Sequence, residues 1–181
     1  MGFLKIGITP PDFRPDEGES IVRLLDEGID IMHLRKPGCT VEAMEKLIRS
    51  IPDAYHGRLR LHSHFELCRK YGLRGVQVNS HEYVVPEGVT NISRSCHGIA
   101  ELGIPAPSGC ILEYQTLSPI YDSISKQGYT SGFNLDELKG HLAGRNVVAL
   151  GGVTPDKFPE LQDAGFVGAA MLGCLEEYYR H

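Results

Sequence analysis

The sequence has no excess of basic residues, no long apolar run and no paired cysteine motif. Its net charge of −5 is unfavourable for binding nucleic acid or an anionic membrane surface. No apolar run approaches the roughly 18 to 20 residues that a membrane-spanning helix needs, and the first residues lack the pattern of a secretory signal peptide. The five cysteines are scattered, without a CxxC pair, which argues against a disulfide framework or a zinc ribbon. These absences predict a cytoplasmic protein whose partners include neither a membrane nor a nucleic acid.

What the sequence does contain is a regular alternation of short apolar runs and helix-compatible segments. Eight runs have the length and composition of strands, namely residues 4–9, 29–34, 59–62, 75–78, 90–95, 110–117, 146–150 and 166–172. Helical spacing of apolar residues occurs in 19–27, 41–51, 135–142 and 155–164, while 81–88 shows little helical pattern. Thr40 and Thr154 are predicted N-caps, the second followed by Pro155 at the first helical position.

This alternation predicts parallel strands joined by crossover helices. Eight such units favour a closed barrel, so the predicted fold is α/β, a single compact (β/α)8 TIM barrel covering residues 1–181. An open doubly wound sheet is the alternative, but it usually carries a glycine-rich loop after its first strand, where this chain has Thr-Pro-Pro. Few residues follow Gly173, so the last helix should be short, and a homodimer partner could cover that face.

Polar residues gather where the predicted strands end, which is where such barrels carry their active sites. They include His33, Arg35 and Lys36 after the second strand, His62 and His64 after the third, and Ser95 and His97 at the fifth. The histidines and Cys96 also allow a transition-metal site as an alternative, although no spacing matches a closed zinc site. Cys96 alternates with Ser95 and His97, so its side chain should point into the barrel wall.

The last two predicted strands end in glycine instead. Gly151 and Gly152 follow the seventh strand, and Gly173 follows the eighth. Late-strand loops with exposed backbone N–H groups are the usual phosphate site of these barrels, often beside a helix N-terminus. A phosphate site is therefore predicted here, with a simple tight turn as the alternative interpretation.

Five motifs of this chain resemble those of the thiamine-phosphate synthase and TenI family. The family's second strand ends in Gln-Leu-Arg-x-Lys, and residues 33–36 read His-Leu-Arg-Lys. Its loop after strand six reads Pro-x-x-x-Thr-x-Thr-Lys, and residues 119–126 keep both hydroxyls as serines. Ser-x-His, Ala-x-Gly-Gly and Gly-x-Ala-x-x are similar to residues 95–97, 149–152 and 168–172. The resemblance covers nearly the whole chain, in order.

The resemblance implies small phosphorylated thiazole or pyrimidine substrates and a set of residues to bind them. Backbone groups would hold the phosphate of a thiazole phosphate at Gly151, Gly152, Leu172 and Gly173. A second, pyrophosphate-bearing substrate would lie beside donors suited to phosphate oxygens, namely Arg35, Ser123, Ser125 and Lys126. Further candidates for contact with substrate are His33, Lys36, His62 and Ser95. Lys126 is also a candidate catalytic residue.

One departure from the family concerns the metal. After strand three the synthases carry Asn-Asp, whose aspartate binds Mg²⁺, and this chain has His62 and Ser63 there. Glu82 aligns with the second magnesium aspartate and is the remaining metal candidate. Serine is a poor substitute for a carboxylate as a Mg²⁺ ligand, which weakens the synthase interpretation.

The TenI branch implies a reaction that needs no metal. Its resemblance implies a thiazole tautomerase, which moves a proton on a thiazole carboxylate phosphate and uses the strand-five histidine, here His97, as the base. Histidine as a residue type can both take and return a proton near neutral pH. We favour this function, with no cofactor expected. The alternatives are a Mg²⁺-dependent thiamine-phosphate synthase, which joins the two substrates with release of pyrophosphate, and a non-catalytic binder of a thiamine precursor.

Overall fold

A computed structural model shows a closed barrel of eight parallel strands in sequence order, as predicted. The structure describes residues 2–79, 84–122 and 132–179. The strands are β1 Leu4–Ile8, β2 Ile31–Leu34, β3 Leu59–Leu61, β4 Gly75–Val78, β5 Asn91–Cys96, β6 Ile111–Leu117, β7 Val147–Leu150 and β8 Gly168–Met171. Pairing of β1 with both β2 and β8 closes the ring, since Ile6 lies opposite Ile31 on one side and Ala170 on the other. An open doubly wound sheet is therefore excluded.

Helices cover the outside of most of the barrel. They are α1 Glu17–Asp26, α2 Val41–Arg49, α3 Glu66–Lys70, α4 Leu135–Leu142 and α5 Phe158–Ala164, with 3-10 helices at Asp53–Arg58, Ile99–Gly103, Pro155–Lys157 and Gly173–Tyr179. Thr40 caps α2 as predicted, because its side chain accepts a hydrogen bond from the Ala43 N–H at 3.2 Å. Thr154 does not cap in this way. Its hydroxyl donates to Asp156, and the segment predicted as one helix divides into a 3-10 turn and α5.

Alternation along the strands gives the barrel an outer and an inner layer of side chains. One face of each strand packs against the helices, for example Met32, Leu61 and Val76. The other face fills the barrel interior, where Ile6 and Tyr114 belong to a smaller cluster. The interior is a packed core, so ligand chemistry is confined to the rim formed by the strand C-terminal ends.

The connection between β5 and β6 contains a 3-10 helix but no α-helix among its described residues. Two polar side chains of the strands bind its backbone directly. The Arg94 guanidinium donates to the carbonyl groups of Ile104 and Pro105, and the Gln115 amide donates to the Leu102 carbonyl at 3.1 Å. Both side chains are buried, so they fill space that a helix covers elsewhere.

The last described segment is short, as predicted. Gly173–Tyr179 forms a 3-10 helix that contacts α1, and Leu175 and Tyr179 are buried in the outer core. Within the three described ranges, no helix is long and apolar enough to cross a membrane.

Candidate active site

The predicted site residues on β2 and β3 fall into two groups, one buried and one at the rim. His33 lies in the barrel interior and is 1% exposed. Its Nδ1 is 2.9 Å from His62 Nε2, and its Nε2 is 2.6 Å from the Tyr114 hydroxyl. Both ring nitrogens of His33 are therefore occupied, and a ligand cannot contact them directly in this arrangement. His62 and Arg35 are only partly buried and lie at the rim.

Burial keeps both of these histidines uncharged. It lowers the pKa of His33 well below its ordinary value, with further lowering by the neighbouring His62 and Arg60. The pKa of His62 falls to about 3, because of burial first and then the positive charges of Arg35 and Arg60. A histidine with so low a pKa is neutral near pH 7 and serves as a hydrogen-bonding group rather than as a cation.

Lys36 was predicted to bind the substrate or its phosphate, but in the structure its side chain is bonded within the protein. The side chain turns into a buried pocket and its Nζ forms three hydrogen bonds, at 2.5 Å to Glu17 Oε1 and at 2.8 Å each to the carbonyl groups of Pro10 and Asp12. An ammonium group has three donors, so all of them are used within the protein. Burial lowers the pKa of Lys36, and the hydrogen bond to Glu17 opposes that shift.

His97 lies at the rim directly after β5 and its side chain is exposed. Its Nδ1 is 3.3 Å from both the carbonyl oxygen and the hydroxyl of Ser118, the residue that follows β6. A carbonyl can only accept, so a proton on Nδ1 donates to Ser118 and leaves the Nε2 lone pair for a substrate. Glu101 accepts a hydrogen bond from the His97 backbone N–H at 3.2 Å.

The two residues before His97 differ in burial, as their alternation along the strand predicts. Ser95 is partly buried, while Cys96 is fully buried in the outer core. Burial raises the pKa of the Cys96 thiol to about 11, and Glu101 adds to the shift. Since the thiolate is the reactive form, Cys96 is not placed to act as a nucleophile.

The glycine pair after β7 is required by the backbone. Gly151 and Gly152 have φ values of +94° and +62°, in the region that favours glycine. A Cβ on Gly152 would lie 2.3 Å from the Asp122 carbonyl oxygen. The loop that follows β6 is joined to this turn, because Ile120 and Tyr121 donate backbone hydrogen bonds to Leu150 and Gly151 at 2.9 and 3.0 Å.

These contacts bring several predicted site residues together at one rim. His97, Ser118 and the Gly151–Gly152 turn lie at the ends of the adjacent strands β5, β6 and β7, and Leu172 and Gly173 follow β8 next to them. Arg35 and His62 lie on the side of the rim formed by β2 and β3. Glu82, Ser123, Ser125 and Lys126 lie outside the described residues.

Sequence reasoning missed two side chains that shape this site. Tyr114 lies in the middle of β6, where no strand-end motif draws attention to it, and Glu17 comes from the start of α1. The alternation of Tyr114, Thr116 and Ser118 along one side of β6 was the available signal for the first. No local pattern indicated the second.

The residues after β3 do not fit the magnesium site that the family resemblance implies. Ser63 occupies the position of the metal-binding aspartate, and its Oγ is buried without a hydrogen-bond partner in the described part of the chain. His62, beside it, is bonded to His33. Among residues 2–79, 84–122 and 132–179, no group of three or more histidine, cysteine, aspartate or glutamate residues is arranged to hold a metal ion. The same finding removes the transition-metal alternative for these residues.

Comparison with known proteins agrees with the geometry. The family model described as thiamine monophosphate synthase (TMP-TENI) matches residues 7–175. A Geobacter sulfurreducens protein with the provisional name thiamine-phosphate synthase is 25% identical over 164 residues, which cover 82% of this chain and 74% of the relative.

Two solved structures extend the comparison. The thiamine phosphate pyrophosphorylase of Bacteroides thetaiotaomicron has a TM-score of 0.77 and 32% identity, covering 97% of this chain and 85% of that one. The thiamine phosphate pyrophosphorylase of Pyrococcus furiosus has a TM-score of 0.72 over 94% of this chain and 85% of its own, but at 16% identity it shows the fold alone. The extent of the family match and the identity to the Bacteroides protein establish that this chain belongs to the thiamine monophosphate synthase family of thiamine-biosynthesis enzymes.

Proposed function

We propose that this protein is a tautomerase that acts on a thiazole carboxylate phosphate, with His97 as the general acid and base. The observation that carries the proposal is the exposed His97 imidazole, whose Nδ1 contacts Ser118 at 3.3 Å, next to the glycine turn after β7. A proton-transfer enzyme needs a base and an anchor for its phosphate, and the candidates for these two roles follow β5 and β7, on either side of β6. The poor fit of Ser63 and its surroundings to Mg²⁺ favours this reaction over the synthase reaction.

The substrate's phosphate would bind the backbone of Gly151, Gly152 and Gly173. Short loops after the last strands of a barrel present N–H groups to phosphate oxygens. Ser95 lies near the end of β5, two residues before His97, and would face the thiazole ring. Ser123, Ser125 and Lys126 follow β6 in the sequence and remain candidates for contact with the ligand.

The chemical step moves one proton and changes no oxidation state. Neutral His97 takes a proton from a ring carbon of the thiazole isomer through Nε2 and becomes an imidazolium. The electron pair of the broken C–H bond shifts within the ring system. The imidazolium then returns its proton to a different atom of the same molecule, which gives the aromatic isomer and restores neutral His97. The Ser118 carbonyl stabilises the imidazolium by accepting from Nδ1 throughout.

A second candidate is thiamine-phosphate synthase, and the names of the matched proteins favour it. The Bacteroides protein at 32% identity is called a thiamine phosphate pyrophosphorylase. In this alternative Arg35, Ser123, Ser125 and Lys126 bind a pyrimidine pyrophosphate, and Mg²⁺ depends on Glu82 together with substrate oxygens. A third candidate, a binder of a thiamine precursor, would keep the phosphate site and lack both reactions.

The test is to follow proton exchange in the thiazole carboxylate phosphate by NMR in deuterated buffer. We expect exchange without added metal, and a decrease of about 10²- to 10⁴-fold in kcat for His97→Asn, the range for loss of a general base. His141→Gln is the matched control, because His141 is exposed on α4, near the opposite end of the barrel. Exchange that survives in His97→Asn would contradict the assignment of the base. Mg²⁺-dependent release of pyrophosphate from the two synthase substrates would establish the second candidate instead.

A further inference from the structure

A chain of three hydrogen-bonded side chains crosses the barrel interior, separate from the proton transfer at His97. Tyr114 in β6 bonds to His33 in β2 at 2.6 Å, and His33 bonds to His62 after β3 at 2.9 Å. Tyr114 and His33 are 2% and 1% exposed. This series of hydrogen bonds therefore begins in the core and ends at His62, which is partly exposed at the rim.

The direction of these two hydrogen bonds determines which nitrogen of each imidazole carries a proton. A phenol is a stronger acid than a neutral imidazole N–H, so the short contact favours donation from the Tyr114 hydroxyl to His33 Nε2. His33 then carries its proton on Nδ1 and donates to His62 Nε2. His33 is the side chain that the Tyr114 hydroxyl contacts, and the nearby Ser93 hydroxyl donates its own proton to the Gln77 amide oxygen.

His62 is left with its own proton on Nδ1. Within the described residues, His62 Nδ1 has no hydrogen-bond partner. It is also not a fully buried atom, since the buried polar atoms without a partner do not include it. It is therefore open to the mouth of the barrel. We infer that His62 is a positioning residue, fixed by His33 and Tyr114 as a neutral N–H donor to the carboxylate of the thiazole carboxylate phosphate.

The surroundings of His62 suit a carboxylate. Arg35, at the adjacent end of β2, is close enough to affect the His62 pKa, so a cationic group and a neutral donor share this side of the rim. The glycine turns of β7 and β8 lie on another side of the mouth. A ligand with a phosphate at one end and a carboxylate at the other would span the site between them. The role at the ligand rests on the proposed function, whereas the position of the His62 proton does not.

Nitrogen-15 NMR of the ligand-free protein at pH 7 tests the proton position. We expect His62 to show a protonated Nδ1 and an unprotonated Nε2, with His62→Gln used to assign its signals. Tyr114→Phe removes the hydroxyl and keeps the ring, so the His62 signals should move towards a mixture of tautomers while the remaining spectrum stays that of a folded protein. A wild-type His62 protonated on Nε2, or on both nitrogens, would overturn the inference.

Calorimetric binding tests the role of this donor at the ligand. The probes are the thiazole carboxylate phosphate and the same thiazole phosphate without its carboxylate. His62→Phe, whose ring has no hydrogen-bond donor, should weaken binding of the first roughly 10- to 100-fold, as expected for loss of a hydrogen bond to a charged group, and should leave the second nearly unchanged. His141→Gln should affect neither. Equal weakening of both probes would overturn the role of His62, whereas wild-type protein that binds neither probe would overturn the proposed function itself.

Discussion

Replacing Lys36 by methionine should unfold the protein more easily without weakening its binding of phosphate. The substitution keeps an unbranched side chain in the pocket but leaves the Glu17 carboxylate, which is 3% exposed, without its cation. The carbonyl groups of Pro10 and Asp12 lose a donor as well. Removing one partner of a buried ion pair costs about 3–5 kcal/mol. For a chain of 181 residues this corresponds to a decrease in Tm of roughly 6–20 °C.

Two assays on the same variant separate a structural role from a ligand role. Urea unfolding at pH 7.5 measures the free energy of unfolding, and calorimetry with the thiazole carboxylate phosphate measures Kd below the unfolding transition. The double variant Lys36→Met with Glu17→Gln should recover part of the loss, because it removes the uncompensated charge. Lys139→Met is the control, since Lys139 forms its ion pair with Asp136 on the exposed face of α4, where such pairs contribute little. An unchanged Tm together with a tenfold higher Kd would refute this reasoning and would support Lys36 as a phosphate ligand.

Two further perturbations test the glycine turn and the buried histidines. Gly152→Ala should lower the free energy of unfolding in urea by about 1–3 kcal/mol more than Gly144→Ala does. Both glycines have left-handed φ values, but only at residue 152 would the new Cβ lie against the Asp122 carbonyl. Equal losses would show that the loop shifts to accommodate the Cβ. The free energy of unfolding should also fall as the pH drops from about 6.5 towards 3, by up to about 1.4 kcal/mol per pH unit for each of His33 and His62. Their folded pKa values lie below the unfolded ones, so the unfolded chain binds protons that the folded chain does not. A free energy of unfolding that is independent of pH over this window would contradict the lowered pKa values of these two histidines.

The strands and their closure into a barrel were predictable because their signal is local. Each apolar run is short, lies between polar or glycine residues, and repeats eight times, so alternation alone specified parallel pairing. Thr40 was predictable as a cap for the same reason, since a cap contacts residues three positions away. Thr154 was not, because its hydroxyl also had Asp156 within reach and bonded to that side chain instead.

The rim of the barrel was predictable as the location of the candidate site, but the contacts that its side chains make were not. Strand ends mark the rim, so the positions of Arg35, His97 and Gly151 followed from the fold. The partners of Lys36 and His33 did not, since Glu17 and Tyr114 are 19 and 81 residues away along the chain. No spacing rule links them, and only the closure of the barrel brings them together.

The way Arg94 and Gln115 hold the connection between β5 and β6 has a consequence for how small such a fold can be. A barrel wall needs its outer surface kept from water, and an α-helix is the usual means of doing so. Here two long polar side chains that point outward from the strands bind a short connecting segment by its own carbonyl groups. The covering layer is thus assembled from backbone, and the strand itself supplies the donors. In this barrel, a connection without an α-helix therefore still covers the wall, because the strands on either side of it hold it in place.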